Sequence, residues 1–265
     1  MAVYAWADLH GRFDLLLEGL THLGPEDEIY FLGDAADRGP DGWECIKYIL
    51  ADKRFTYIKG NHEDLLLKAI GNISPTRLPI SDTFYNKDLS LWYMNGGQVT
   101  HRAIIDDNTF SNEEKVEMIY QLKTLPFLKV YHNIKGQYII LSHSGYDDVD
   151  YGDEEDFIWD RHHLMFYDTW DGEPNEVIVH GHTPIELMVK EQLHNVEWLN
   201  EKHKHEGVLG DHLVEPQPWK GTGAYWYAKN HKCNIDTGAV WNSHSVLLNL
   251  DTWDEIIIST TPTIS

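Results

Sequence analysis

Short apolar runs alternate with helical patterns in the first 60 residues, and this alternation limits the fold more than any other feature of the chain. Buried strands are predicted at residues 3–7, 28–32 and 55–58. The Leu and Ile spacing at 14–23 and 43–51 predicts helices that pack on a sheet. Strand–helix–strand–helix–strand with short connections indicates a βαβαβ unit. Because open α/β sheets bind ligands at the carboxyl ends of their strands, functional residues are expected directly after these runs.

The second half of the sequence predicts a second sheet. Further short strands are predicted at residues 137–141, 176–179, 233–235, 245–250 and 255–259. We therefore expect an α/β fold with a layered α/β/β/α arrangement, in which two sheets are flanked by helices. Residues 1–265 are expected to form one domain. We expect it to carry a helical insertion at about 72–135 and a lid-like, His-rich insertion without a clean period at about 185–230.

Clusters of Asp, Asn and His follow several of the predicted strands, together with glycines that allow tight turns. Imidazole and carboxylate ligands suit borderline divalent metals such as Mn, Fe, Zn and Co. Each residue alone has a structural alternative, such as a helix N-cap or turn for Asp or a hydrogen-bonded buried side chain for His. Their joint occurrence at strand ends favours a single metal site. The clusters are Asp8-Leu9-His10-Gly11, Gly33-Asp34-Ala35-Ala36-Asp37-Arg38-Gly39, Gly60-Asn61-His62-Glu63, Ser142-His143-Ser144-Gly145 and His180-Gly181-His182-Thr183.

Charge and cysteine content exclude several classes of protein. The chain carries 43 acidic and 21 basic residues, a formal net charge of −22. This balance argues against nucleic acid or an anionic membrane as a partner, and an anionic substrate would need a locally positive site such as a bound metal. No apolar stretch approaches the roughly 20 residues of a membrane helix. Cys45 and Cys233 cannot form a disulfide framework, which favours a reducing, cytoplasmic location, with one bridge between them as the alternative.

At these clusters the sequence resembles the calcineurin-like metallophosphoesterase superfamily, and within it the phosphoprotein phosphatase branch. The branch pattern is Asp-X-His-Gly, Gly-Asp-X-X-Asp-Arg-Gly, Gly-Asn-His-Glu and then two separate histidines, all of which occur here in that order. The resemblance covers residues 3–70 closely and 138–184 more loosely. The compact length is similar to that of bacterial and phage lambda-type serine/threonine protein phosphatases, and of symmetrical diadenosine tetraphosphate hydrolases.

The resemblance implies two divalent metal ions that share one carboxylate. The ligands of the first ion would be Asp8, His10 and Asp34. Asp34 would bridge to the second ion, whose other ligands would be Asn61, His143 and His182. Manganese is the expected metal, and iron and zinc suit the same ligand set.

The resemblance also assigns groups for protonation and phosphate binding. His62, oriented and kept protonated by Asp37, would protonate the leaving group. Arg38 offers a planar fork of donors that matches phosphate oxygens. Asn61 and Arg161 would be further phosphate ligands, although Arg161 is equally consistent with a surface salt bridge.

Two residues close to these motifs have a less defined role. His180 lies on the same face of its strand as His182, because strand side chains alternate. It is expected to neighbour the metal ligands, and the alternative is that it replaces His182 as a ligand. Asp236 is expected to form a structural turn near the site.

The implied function is metal-dependent hydrolysis of phosphomonoesters, by in-line attack of a hydroxide that bridges two metals. Phosphoserine and phosphothreonine in proteins are the leading substrates. The first alternative keeps the site and changes the substrate to a dinucleoside polyphosphate, such as diadenosine tetraphosphate, or to another small phosphate ester. The second alternative is a non-catalytic regulatory protein on a phosphatase scaffold.

Overall fold

The computed structural model describes residues 1–71, 87–145, 152–161, 172–203 and 218–260. Within these ranges the strands are β1 (Val3–Trp6), β2 (Glu28–Phe31), β3 (Phe55–Tyr57), β4 (Leu128–His132), β5 (Tyr138–Ser142), β6 (Glu176–His180), β7 (Tyr225–Tyr227), β8 (Lys232–Asn234), β9 (His244–Asn249) and β10 (Glu255–Ser259). The helices are α1 (Phe13–Leu20), α2 (Gly42–Ala51), α3 (Asn61–Ile70), α4 (Lys87–Met94), α5 (Gly97–Asp106), α6 (Asn112–Lys123), α7 (Glu154–Trp159), α8 (Ile185–His203) and α9 (Ala239–Asn242).

The strands form two five-stranded sheets. The first has the order β10-β9-β1-β2-β3, and β1, β2 and β3 are parallel, with Val3 opposite Glu28 and Ile29 opposite Phe55. The second has the order β4-β5-β6-β8-β7, in which β5, β6 and β8 are parallel. Strand β3 lies at the edge of the first sheet beside β2, whereas β5, β6 and β8 occupy the centre of the second. The carboxyl ends of the parallel strands form the end of each sheet where ligand sites are expected.

An apolar layer fills the space between the sheets. Alternate side chains of the first sheet, such as Ala5 and Leu248, meet Leu141 and Val179 of the second, and all are fully buried. The other face of the first sheet packs against α1, α2 and α3. On the second sheet, α8 and β7 bury apolar residues against each other, namely Ile185, Met188, Val189, Tyr225 and Tyr227. The predicted α/β/β/α arrangement is confirmed.

The structure differs from the sequence prediction at two edge strands and one helix. Strand β4 lies inside the range predicted as a helical insertion, and β7 was not predicted. Both are edge strands, and β4 has only half-buried and exposed residues, so it lacks the apolar alternation that marks a strand. The range 185–230 begins with the 19-residue helix α8 rather than irregular chain. Residues 72–86 and 204–217 of the two predicted insertions lie outside the described residues.

Two further expectations concern cysteines and membranes. Cys45 and Cys233 are both buried and free, so the alternative of a single bridge is wrong. Among the described helices, none combines the length and the apolar character needed to cross a membrane.

Candidate active site

The predicted clusters meet at one edge of the two sheets. Each cluster lies at the carboxyl end of a parallel strand, and its ligand-type side chains are buried. The carboxyl ends of β1, β2 and β3 therefore face those of β5 and β6 across a short distance. The residues brought together in this way are Asp8, His10, Asp34, Asn61, His143 and His182.

Asp34 lies at the centre of this cluster. Its Oδ2 is 3.6 Å from His10 Nε2, and its Oδ1 is 3.5 Å from His143 Nε2. Within the described residues, two groups of ligand atoms lie close enough to hold a metal ion, and both contain Asp34. One adds His10 and His62, and the other adds Asp8 and His143, with the ligand atoms of each group within 4.8 Å of one another. A carboxylate shared by two groups is the arrangement expected for a pair of divalent ions.

A second set of polar atoms converges beside Asp34. Asn61 Oδ1 lies 2.9 Å from both His143 Nε2 and His182 Nδ1, and the two imidazole nitrogens are 3.1 Å apart. His143 Nδ1 is 2.6 Å from the Leu32 carbonyl oxygen. That carbonyl accepts a hydrogen bond from the Nδ1–H group, which leaves the Nε2 lone pair directed at the cluster. Imidazole nitrogens with amide and carboxylate oxygens fit a borderline divalent cation.

The structure separates the two histidines that the sequence left as alternatives. His182 contacts Asn61 and His143, whereas His180 Nε2 lies 2.7 Å from the Tyr227 hydroxyl. Burial lowers the pKa of His180 to about 3, so this ring is neutral. His180 is therefore placed behind the cluster, against the second sheet.

Many of the site residues have a left-handed backbone. A positive φ in a residue other than glycine costs about 1–3 kcal/mol and persists only when the surroundings enforce it. Here it turns the chain sharply after each strand, so that successive polar side chains reach the same point. The predicted site residues in this conformation are Asp8 (53°), His10 (45°), Asp34 (59°), Asp37 (70°), Arg38 (65°) and His182 (70°).

Glu63 holds the turn that contains Asp34, a role that the sequence analysis missed. Its fully buried carboxylate accepts hydrogen bonds from the backbone N–H groups of Asp34 (2.8 Å), Ala35 (3.0 Å) and Gly60 (2.9 Å), and from the Tyr57 hydroxyl (2.8 Å). Burial, with the nearby charge of Asp34, raises the pKa of Glu63 to about 7. Its position three residues after Gly60, at the start of a helix, was the available signal, since Glu there can bond back to the preceding turn.

Replacing Glu63 with glutamine is expected to lower the free energy of unfolding by about 2–3 kcal/mol, because an amide NH2 would face buried donors that need an acceptor. Urea unfolding of the metal-free protein measures this change. The matched control is Tyr57→Phe, which removes one donor and should cost about 1 kcal/mol. Equal costs for the two variants would contradict the role given to Glu63.

His62 and Asp37 form a buried pair. His62 Nδ1 is 2.7 Å from Asp37 Oδ2, which also accepts a hydrogen bond from Trp92 Nε1 at 2.8 Å. The Asp37 backbone N–H donates to Thr100 Oγ1. Burial acts to lower the pKa of His62, but the charges of Asp34 and Asp37 outweigh it and hold that pKa above its ordinary value. Trp92 and Thr100 belong to α4 and α5, so this part of the predicted insertion supports the pair.

Arg38 lies at the opening of the site. Its two terminal nitrogens are 2.6 Å from His10 Nε2 and 2.9 Å from His62 Nε2. Its backbone N–H donates to the Gly96 carbonyl, and its guanidinium carbon lies 5.3 Å from the centre of the Trp241 ring. The fork is thus held beside the metal-ligand cluster and next to His62.

The two outlying residues also lie near the cluster. Arg161 donates to Thr183 Oγ1 at 3.4 Å, and its charge interacts with Asp236 and Asp8. Asp236 accepts a hydrogen bond from the Gly238 backbone N–H at 2.9 Å, as expected for a turn. Burial raises the pKa of Asp236 to about 7 despite this hydrogen bond. Burial, followed by the charge of Asp236, also raises the pKa of Asp8.

The short helix that carries Trp241 is fixed by a buried arginine. Arg12 is 8% exposed and donates to the Ala239 carbonyl at 2.9 Å, to Asp14 at 2.8 Å and to Thr260 Oγ1 at 2.7 Å. These bonds connect the start of α1, helix α9 and the residue after β10. Helix α9, whose Trp241 lies beside Arg38, is therefore fixed by hydrogen bonds to residues that are distant in sequence.

Replacing Asp14 with asparagine is expected to lower the free energy of unfolding by about 1 kcal/mol at pH 6, after discounting for a side chain that is 34% exposed. Hydrogen bonds from Arg12 lower the pKa of Asp14 from 3.8 to about 2. The stabilisation is present above the unfolded-state value and disappears as the pH falls towards 2, so the cost should shrink to about half by pH 3. Urea unfolding at both pH values tests this, with the exposed Glu26→Gln as control. A cost that does not change with pH would contradict it.

Comparison with known proteins identifies the family. Residues 1–216 match the sequence profile of calcineurin-like phosphoesterases. Serine/threonine-protein phosphatase 2 of Escherichia coli (strain K12) is 26% identical over 152 residues, 56% of this chain and 61% of that protein. A symmetrical bis(5'-nucleosyl)-tetraphosphatase of Buchnera aphidicola subsp. Acyrthosiphon pisum (strain Tuc7) is 28% identical over 149 residues, 55% of this chain and 44% of that protein. The matches thus span about half the length of these two relatives.

The fold agrees with this match. The crystal structure of a metallophosphoesterase from Sphaerobacter thermophilus superposes with a TM-score of 0.51 at 13% identity, over 99% of this chain and 89% of that one. At this identity the likeness concerns the fold, which in this chain consists of two sheets flanked by helices. Because the family profile covers most of the chain, the resemblance seen in the motifs is confirmed, and the chain belongs to the calcineurin-like phosphoesterase family.

Proposed function

We propose that this chain is a metal-dependent phosphatase that hydrolyses phosphate esters. The observation that carries the proposal is Asp34, whose carboxylate is common to two groups of ligand atoms and lies beside the His62–Asp37 pair. Divalent ions bound there would lower the pKa of a water molecule and polarise phosphoryl oxygens. The chain's own residues would supply the positioning, the proton and the additional positive charge.

The metal ligands would divide into two sets around Asp34. Following the motif pattern, Asp8 and His10 would join Asp34 at one ion, and the atoms that converge on Asn61 Oδ1 would serve the other. By distance alone, Asp8 groups with Asp34 and His143 instead. These donors suit manganese, and iron and zinc are the alternatives. Two ions would also offset the negative charge of Asp8 and Asp236, because burial and the nearby charge of Asp34 raise the pKa of both carboxyl groups.

Proton transfer would be the task of His62. The charges of Asp34 and Asp37 favour its protonated form, so it can donate to the oxygen of the departing group. Arg38 would bind phosphoryl oxygens with a guanidinium that already lies beside His62 Nε2. Asn61 and Arg161 would be further phosphate-binding groups, Arg161 from the neighbouring loop.

Phosphoserine and phosphothreonine in proteins are the first substrates we propose. A relative named as a serine/threonine-protein phosphatase supports this choice, and a relative named as a dinucleoside tetraphosphatase supports the alternative. In both reactions water attacks phosphorus, so both can use the same site. A non-catalytic role is disfavoured, because each ligand, the acid pair and the Arg38 fork are present.

We further propose that residues 1–265 form one domain and that the protein acts in the cytoplasm.

Hydrolysis by the metal-loaded protein tests the function, measured as inorganic phosphate released from phosphopeptides and as mononucleotides released from diadenosine tetraphosphate. The purified chain, stripped with chelator and reloaded with Mn, Fe or Zn, would be assayed on phosphoserine, phosphothreonine and phosphotyrosine peptides and on diadenosine tetraphosphate. We expect turnover of phosphoserine and phosphothreonine peptides that chelation abolishes. Turnover of the dinucleotide alone would replace the substrate and keep the site. Absence of turnover on all of them, with two ions bound per chain, would overturn the proposal.

A further inference from the structure

Trp241 stands out as a large apolar side chain that is 62% exposed beside a buried polar site. Its ring is not needed to hold the turn on which it lies. The helix is fixed by the Arg12 bond to Ala239 and by Asn242 Nδ2, which donates to the Thr237 carbonyl at 2.8 Å. The indole is thus displayed on a rigid support and keeps most of its surface open to solvent.

The indole lies next to the groups that would hold the phosphate and protonate the departing oxygen. The Arg38 guanidinium carbon is 5.3 Å from the ring centre, and the nitrogens of the same guanidinium reach His10 and His62. A phosphoryl oxygen bound by this fork would lie roughly 2.8 Å from its nitrogens. The first group beyond the ester oxygen, on the side of His62, would therefore extend into the neighbourhood of Trp241.

We propose that Trp241 forms a stacking subsite for a planar ring carried by the leaving group, either the ring of an aryl phosphate or the base of a nucleotide. This inference rests on the proposed function and adds a selectivity to it. Aromatic rings stack in offset or edge-on arrangements with centres about 4.5–7 Å apart, and an exposed indole offers such a surface at little cost in conformational freedom. A serine or threonine side chain offers no planar surface to this ring.

A simpler role for Trp241 makes a different prediction. If the indole only orients Arg38, its loss should lower the affinity for every ligand to the same degree, because all of them share the phosphoryl group that Arg38 binds. If it stacks on the leaving group, its loss should lower the affinity for ring-containing ligands more than the affinity for inorganic phosphate. The ratio between the two classes therefore distinguishes stacking from positioning.

Calorimetry on the metal-loaded protein measures this ratio without turnover. The probes are phenylphosphonate, the methylenephosphonate analogue of adenosine monophosphate, whose P–C bond is not hydrolysed, and inorganic phosphate. The proteins are the wild type, Trp241→Phe, Trp241→Leu and the control Ile134→Ala. Ile134 is 79% exposed in the turn between β4 and β5, at the opposite edge of the second sheet. We expect Trp241→Leu to lose about 3- to 10-fold in affinity for ring ligands relative to phosphate. Trp241→Phe and the control should keep the wild-type ratio of the two affinities.

The same variants are then assayed for kcat/KM on phosphotyrosine peptide, diadenosine tetraphosphate and phosphoserine peptide. A selective loss on phenylphosphonate and phosphotyrosine identifies an aryl ring as the natural group, and a selective loss on the two adenosine compounds identifies a nucleobase. Equal losses for all ligands, or no loss, would overturn the stacking subsite while leaving a turning-over enzyme in place. A wild-type protein that binds no phosphate and hydrolyses none of the three substrates would overturn the proposed function, and this inference with it.

Discussion

Replacing Asp34 with asparagine is expected to lower kcat/KM by at least about 10³-fold, or roughly 4 kcal/mol of transition-state stabilisation. The two groups of ligand atoms share this carboxylate, so loss of its charge should weaken both ions at once. Asparagine keeps the volume and the oxygen that accepts the His62 backbone N–H at 3.0 Å, so the turn should persist. Elemental analysis after dialysis should find fewer than two ions per chain.

A matched carboxylate-to-amide change separates this effect from a general loss of charge. Asp52 follows α2 at the edge of the first sheet opposite the site, where it pairs with Arg54. Asp52→Asn should cost some stability and leave metal content and turnover at wild-type levels. An Asp34→Asn protein that holds two ions and turns over within tenfold of wild type would show that Asp34 is not a shared ligand.

Replacing His62 with asparagine is expected to lower kcat for alkyl phosphate esters by about 10²- to 10⁴-fold, the usual contribution of general acid catalysis. The loss should be much smaller for p-nitrophenyl phosphate, whose leaving group departs without a proton. Metal content should not change, because His62 Nδ1 is bound to Asp37 and its proposed task is donation. The rates on the two substrates and the elemental analysis together test the assignment.

This experiment also resolves a difference between proximity and sequence pattern. By distance alone His62 groups with His10 and Asp34 as a metal ligand, whereas the motif pattern assigns it as the acid. Loss of an ion in His62→Asn, with equal loss of rate on both substrates, would favour the ligand role and contradict the acid role. His22→Asn, a change at a half-exposed histidine that pairs with Glu18, is the control.

The sequence was informative where one short motif performs one task. Asp8, Asp34 and Asn61 could be placed together because each follows a parallel strand, and parallel strands share an edge. The supporting residues could not be placed in the same way. Trp92 and Thr100 reach Asp37 from helices more than 50 residues further along the chain, and no local pattern encodes that approach.

The strands missed by the sequence analysis have a related explanation. Strand β4 pairs on one side only, and its residues are half-buried or exposed. Its sequence therefore lacks the alternation of apolar and polar residues that marks a half-buried strand. Strand β7 is three residues long, too short for alternation to be recognised. Helix α8 lacks a clean apolar stripe, and its first turns are fixed by packing on β7 instead.

The support that α4 and α5 give to Asp37 and Arg38 makes the chemistry of this site modular. The metal-ligand side chains are anchored at strand ends and by Glu63. Asp37, in contrast, accepts a hydrogen bond from Trp92 and donates its backbone N–H to Thr100, and the Arg38 backbone N–H donates to the Gly96 carbonyl. Changes in these helices can therefore alter proton donation and phosphate binding without rebuilding the metal centre. Evolutionary change confined to α4 and α5 could therefore change which leaving groups the enzyme accepts while the metal ligands stay the same.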